Sequence, residues 1–181
     1  MDLRFQAALA RLTDPRRFGA LLWHAAGDGD VAGHPLLASL GVEPLDADFD
    51  GPRLYQATRG RSASIKQVLL SGDAVVGVGN IYASESLFDA GIDPRVPAGR
   101  LGPTRCARLA AAIRRVLREA IEAGGSTLRD YASADGTEGQ YALQARVYGR
   151  DGSDCPVCGR PIRRIVQGQR ATYWCARCQR R

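Results

Sequence analysis

Lysine is nearly missing from this 181-residue chain: Lys66 stands alone against 24 arginines. Almost all positive charge is therefore guanidinium, which stays charged and can bond two phosphate or carboxylate oxygens at once. The bias fits a GC-rich genome more than a mechanism. It also leaves amine chemistry to Lys66 and the terminal amine. Histidine is limited to His24 and His34, which are isolated and read as satisfied by local bonds or solvent. Purely apolar runs reach only a few residues. That predicts no membrane span and no secretory segment, and hence a cytoplasmic, reducing location. There are no internal repeats.

Cysteine is also scarce, yet four of the five are grouped. Cys155-x2-Cys158 and Cys175-x2-Cys178 are separated by sixteen residues, Gly159 to Trp174. A two-residue gap lets each pair turn both sulfurs one way, and the intervening stretch suits one β-hairpin that brings the pairs together. The spacing predicts a zinc ribbon holding one structural Zn2+. Two disulfides, or four unpaired thiols, are the alternatives. Cys106 lies in a helical pattern and reads as a small apolar core residue.

The net charge of +6 is not spread evenly. Residues 155–181 hold seven arginines (Arg160, Arg163, Arg164, Arg170, Arg177, Arg180 and Arg181) and no Asp, Glu or Lys, so the remaining 154 residues sum to −1. A focused arginine patch on a stapled hairpin suits phosphate binding; the alternative is a solvated basic tail. Apolar content of 45% supports a real core, and the length allows one domain plus a small module.

Leu3–Arg11 alternates weakly, and Phe18–Trp23 is apolar after a turn signal at Thr13-Asp14-Pro15. Together they predict two strands joined by a charged turn. Residues 25–33 form a Gly/Asp loop, after which Leu36, Leu37 and Leu40 open a helical region. Helices are predicted at Pro52–Thr58, Ser64–Leu70 with Ser64 as N-cap, Asn80–Ala90, and Thr104–Ala123 with Thr104 as cap. The last carries a face of Leu109, Ile113, Val116, Leu117, Ala120 and Ile121. Its arginines are expected to be solvated or paired with Glu119 and Glu122. Ser126–Tyr141 is a long polar loop. In the ribbon, Ile162–Gln167 and Ala171–Trp174 form the hairpin, with Gly168 at the turn and Arg170 near the tip.

Gly77-Val78-Gly79-Asn80 runs into a helix, where exposed N–H groups attract phosphate. Its flanking helices resemble a helix-two-turn-helix. The sets Asp14-Pro15-Arg16-Arg17-Phe18-Gly19, Val76 to Glu85, Gly91-Ile92-Asp93-Pro94, Val147-Tyr148-Gly149-Arg150 and Gln169-Arg170-Ala171-Thr172 occur in one order along nearly the whole chain. With the ribbon, they resemble the formamidopyrimidine-DNA glycosylase family. The resemblance implies a mainly α helix-two-turn-helix domain with a C-terminal β-hairpin zinc ribbon, and residual β-strands from an incomplete N-terminal β-sandwich. The expected divisions are 1–33, 34–145 and 146–181. It also implies bacterial base-excision repair: removal of 8-oxoguanine and formamidopyrimidines from duplex DNA, with β,δ-elimination at the abasic site. The target nucleotide is flipped out, since its glycosidic bond cannot be reached within the stack.

By that resemblance, Asn80, Tyr82 and Arg170 hold phosphates beside the lesion, Arg16 and Phe18 enter the gap left by the flipped base, and Lys66 contacts DNA. Ser133–Tyr141 matches the loop over the extruded base, departing from the family at Gln140, where an aromatic is usual. The partner is double-stranded DNA at damaged or abasic sites in a bacterial, nucleoid-associated setting, with no membrane. Family members carry an N-terminal proline nucleophile followed by a glutamate, whereas this sequence opens Met1-Asp2-Leu3-Arg4. The expectation is a portion without its catalytic proline and glutamate, hence no catalytic residue and no activity by itself. Glu85 reads as structural. Exposed strand edges predict self-association, although the family is monomeric. Two alternatives remain: a stand-alone, non-catalytic binder of damaged DNA, and an unrelated zinc ribbon that binds RNA or protein.

Overall fold

A computed structural model describes residues 1–14, 19, 21–126 and 141–181. The chain divides into two compact units, Met1–Ala38 and Ser39–Arg181.

In the first unit, β1 (Asp2–Arg4) and β2 (Leu9–Arg11) pair antiparallel, with Leu3 opposite Ala10. Arg11 grips Asp2 through two bonds of 2.8 Å. The expectation of one strand over Leu3–Arg11 is corrected. A turn closed by Phe5 N–H on the Ala8 carbonyl splits the segment in two, and Leu21–Trp23 forms no strand. No described residue of this unit is buried, and Trp23 is 90% exposed. Weak alternation has no face to cover here, so pairing stays local. The helical region expected from Leu36 is likewise only a turn, because Leu36 and Leu40 both stay exposed and bury no helical face.

The second unit is built on four helices: α1 (Gly51–Thr58), α2 (Ile65–Ser71), α3 (Asn80–Asp89) and α4 (Pro103–Glu122). Asp50 caps α1 by accepting from Arg53 N–H, and Ser64 caps α2. The cap of α4 is Gly102, not Thr104, because Pro103 takes the first helical position where its missing N–H costs nothing. In α4, Cys106, Leu109, Ala110, Ile113, Val116, Leu117 and Ala120 recur three and four apart and are buried. Ile121 falls off that stripe and is 64% exposed, a correction to the predicted face. Helices α1 and α4 cross closely: a Cβ on Gly51 would sit 2.5 Å from the Ala107 Cα. Phe49, Leu54, Ile65, Leu69, Leu87, Ile92 and Leu101 complete the core.

The α4 arginines do not pair with Glu119 and Glu122 as expected. Arg114 donates to the carbonyls of Asp46 and Phe49, Arg115 pairs with Asp89, and Arg105 donates to the Arg180 carbonyl. These three tie the helix to flanking segments, whereas Arg108 and Arg118 are exposed, as the solvated alternative expected.

The same unit contains the hairpin of β3 (Arg163–Gln167) and β4 (Arg170–Trp174), in register from Arg163–Trp174 to Gln167–Arg170. Gly168 and Gln169 both take positive φ, 52° and 61°, as a two-residue turn matching strand twist requires. Phe88 of α3 packs with Val147, Cys155, Ile162 and Cys175, so the ribbon shares a small core with the helices.

Candidate nucleic-acid interface and metal centre

Cys155, Cys158, Cys175 and Cys178 bring their sulfurs within 4.8 Å of one another. Cys155–Cys178 measure 3.8 Å and Cys158–Cys175 3.4 Å. These separations are too long for disulfides, whereas four thiolates about 2.3 Å from a tetrahedral zinc lie about 3.8 Å apart. The donor set fits one zinc ion. The Arg160 amide pulls the Cys158 thiol down to about 7. Burial, then the adjoining thiols, pushes Cys178 up, and burial also raises Cys175. Four thiols this close cannot all ionise without a cation among them.

The ribbon is stitched to the helices beyond the metal. Gln179 donates to the Ile92 carbonyl at 2.9 Å and accepts from Cys175 N–H at 2.8 Å. Asp93 N–H donates to the Arg180 carbonyl, and Arg180 N–H to that of Gly91. Arg95 bonds Asp93 at 2.6 Å and lies 4.7 Å from the Trp174 ring centroid.

Asn80 opens α3 after Gly77, whose φ of 72° turns the chain into the helix. Gly79, the N-cap, offers no side chain to the first N–H groups, which leaves them for an anion. The Asn80 amide nitrogen lies 3.5 Å from the Tyr148 hydroxyl, and its Oδ1 is buried without a partner among the described residues. Tyr82 is half-buried, accepts from Ser126 Oγ at 3.0 Å, and packs on Tyr141 with ring centroids 5.7 Å apart. Its hydroxyl oxygen is thus partly committed within the protein. A cavity of about 650 Å³ opens beside Asn80 and Tyr82, walled by Leu117, Ala120 and Ile121.

Arg170 is exposed at the start of β4, and β4 packs against α3. Lys66 departs from the expectation of a DNA contact. It is fully buried in α2 and donates to the Ala171 carbonyl at 2.8 Å and to Thr172 Oγ1 at 2.9 Å. Burial pulls its pKa down to about 8. Gln167 Nε2 donates to Ser64 Oγ at 3.1 Å, so the hairpin end rests on the start of α2. Arg16, Phe18 and most of the loop at Ser133–Tyr141 lie outside the described residues.

Glu85, read from the sequence as structural, has partners that the sequence did not reveal. Glu85 is buried and accepts the N–H groups of Arg146, Val147 and Tyr148 at 2.9, 2.9 and 2.8 Å. Tyr148 is thereby held against Asn80. Val147-Tyr148-Gly149-Arg150 was legible as a motif, but its partner lies more than sixty residues earlier.

Residues 40–132 match the formamidopyrimidine-DNA glycosylase H2TH domain, and residues 152–181 match the zinc finger found in FPG and IleRS. A formamidopyrimidine-DNA glycosylase of Bordetella pertussis is 62% identical over 182 residues, covering 100% of this chain and 66% of its own length. The chain thus spans about two thirds of the curated relative it matches. The crystal structure of the MutM (Fpg) protein of Thermus thermophilus superposes with a TM-score of 0.87 at 42% identity, over 98% of this chain and 67% of that one. Lactococcus lactis Fpg in complex with abasic-site DNA gives 0.73 at 36% identity, over 81% and 54%. Among the described residues, no helix is long and apolar enough to cross a membrane.

Proposed function

Because the chain belongs to the formamidopyrimidine-DNA glycosylase family, we propose that it is the DNA-binding portion of a base-excision repair glycosylase and AP lyase acting on oxidised purines in duplex DNA. The match over residues 40–132 removes the reading of an unrelated zinc ribbon. One observation carries the proposal: the strand bearing Arg170 is packed on the helix that opens at Asn80. A guanidinium and a helix start with free N–H groups thus belong to neighbouring elements, as binding to a phosphate backbone requires.

In this reading Asn80 and Arg170 hold phosphates beside the lesion, and Tyr82 backs Asn80. Arg16 and Phe18 fill the gap left by the flipped nucleotide, an aromatic wedge offsetting lost stacking. Lys66 serves from beneath by holding β4. The ribbon folds around one zinc bound by the four cysteines. The divisions at 34–145 and 146–181 are then one binding unit with two parts. A cytoplasmic, nucleoid-associated setting follows from the same reading.

The test is binding of the 181-residue chain to a duplex carrying one abasic-site analogue, against the same duplex intact, over a range of salt. Tighter binding to the abasic duplex, with a steep loss of affinity as salt rises, is the expected result. Salt-insensitive binding, or none, sinks the proposal. A second reading, a non-catalytic damaged-DNA binder, is favoured by the burial of Lys66, the only side-chain amine. Borohydride trapping on the abasic duplex separates the two: a covalent adduct means lyase chemistry, and a retarded complex without adduct means binding alone.

A further inference from the structure

Arg105 and Arg108, from the first turns of α4, and Arg180 and Arg181, beyond the last cysteine, line one cavity of about 550 Å³ with Asp89 and Gly91. It lies at the C-terminal end of α3, whereas Asn80 opens that helix. Ten residues at about 1.5 Å each separate the two by roughly 15 Å. The negative groups around the cavity are already engaged. Asp89 is held by Arg115 and Arg146. The Phe88 carbonyl accepts from Gly91 N–H, and the Gly91 carbonyl from Arg180 N–H.

Of the positive groups, Arg181 pairs with Asp93 at 3.8 Å, while the other three lack a carboxylate partner among the described residues. Arg105 spends one nitrogen on the Arg180 carbonyl at 2.8 Å. The guanidiniums of Arg108 and Arg180 form no ion pair or hydrogen bond among the described residues, and both residues are exposed. Burial, then the like charge of Arg108, lowers the proton affinity of Arg105 in spite of the opposing pull of Asp93. Gly102 leaves the positive end of the twenty-residue α4 without a side-chain cap on the same side.

We propose that this cavity is a second phosphate site, which takes a backbone phosphodiester of nucleic acid and is distinct from the surface around Asn80 and Arg170. The proposal rests on the reading of the chain as DNA-binding. Three guanidinium forks from two elements, spread over an open cavity, match the oxygens of an extended strand better than one enclosed free phosphate. The cavity also continues a ribbon that has seven arginines and no acidic residue.

The experiment compares the unaltered chain with R108A/R180A, altered at two exposed positions, after zinc content and circular dichroism show both folded. For intact duplex, the slope of log affinity against log salt should become shallower by about 0.9 for each phosphate the variant no longer neutralises. The ratio of abasic to intact binding should not change. An unchanged slope overturns the proposal, and so does a lost abasic preference, which would merge the cavity with the lesion-facing surface. Failure of the functional reading looks different: the unaltered chain then retains no duplex. In that event the side-chain Nε–Hε resonances of Arg105, Arg108 and Arg180 are followed on adding inorganic phosphate. A shift retains a phosphate site, and no shift overturns it. A larger shift with poly-aspartate than with an oligonucleotide overturns the assignment to nucleic acid.

Discussion

The ammonium of Lys66, in the first turn of α2, donates to the hydroxyl of Thr172 in β4 at 2.9 Å, across 106 residues of sequence. Its second bond, to the Ala171 carbonyl, falls on the residue after Arg170. The chain's one lysine is therefore spent inside the protein, where it fastens the strand that presents the exposed arginine.

Lys66→Met keeps the stem and removes the donors. One buried and one half-buried acceptor lose their partner, at a cost of about 1–3 kcal/mol in urea denaturation. Affinity for duplex should fall as well, because Arg170 is no longer held.

The same pair sets a pH dependence. Burial depresses the Lys66 pKa from 10.5 unfolded to about 8 folded. Between those values the unfolded chain binds more protons than the native one, so this group's contribution to stability rises with pH over that window and is least below 8. A neutral amine still has two N–H groups for its two acceptors. The stability gap between the unaltered chain and Lys66→Met, measured with zinc in excess, should widen from pH 8 to 10.5. A constant gap would show that the amine titrates as if solvated.

Zinc removal should divide the second unit unevenly. Among the described residues the ribbon's cluster adds Phe88, Val147, Ile162 and a half-buried Tyr173 to its cysteines, too little to fold four thiols without a cation. Helices α1 and α4 meet through their own core at Leu54, Leu109 and Ile113. Chelation should erase hydrogen-exchange protection over β3 and β4 while most of the helical circular dichroism survives. Equal loss of both would show that the stitching through Gln179 and Arg180 makes them one cooperative element.

What was readable in the sequence was local. The cysteine spacing reports a geometry met within 24 residues, and the α4 stripe repeats at a period that only a helix satisfies. Turn chemistry at Gly168 placed the hairpin. The failures are long-range or depend on missing partners. Nothing near Lys66 indicates that its amine will be buried by a strand more than a hundred residues away, since lysine is ordinarily exposed. Leu36, Leu37 and Leu40 carry helical spacing, yet without a face to bury the spacing has no consequence. Glu85 sits in a recognisable motif, but its three bonds go to backbone N–H groups, which leave no trace in residue type.

Glu85→Gln tests that hidden link. The carboxylate accepts three backbone N–H groups and lies 3.6 Å from Arg146. An amide turns one acceptor into a donor facing donors. Stability should fall by about 2 kcal/mol, in the range for charged hydrogen bonds. Abasic-duplex affinity should fall too, because Tyr148 no longer braces Asn80.

Arg170 and Asn80 should fail in different ways. Arg170→Ala removes a charge, so affinity drops and the salt slope becomes shallower by about 0.9. Arg170→Lys keeps the charge but loses the planar fork; affinity should drop while the slope stays. Asn80→Asp leaves the fold intact, since the amide's described protein contact is one of 3.5 Å, but sets a carboxylate against the phosphate. Binding should weaken roughly tenfold or more at low salt, and the deficit should shrink as salt screens the repulsion. If Asn80→Asp binds as the unaltered chain does at every salt concentration, the start of α3 does not face the phosphate backbone, and the interface must be built around the ribbon alone.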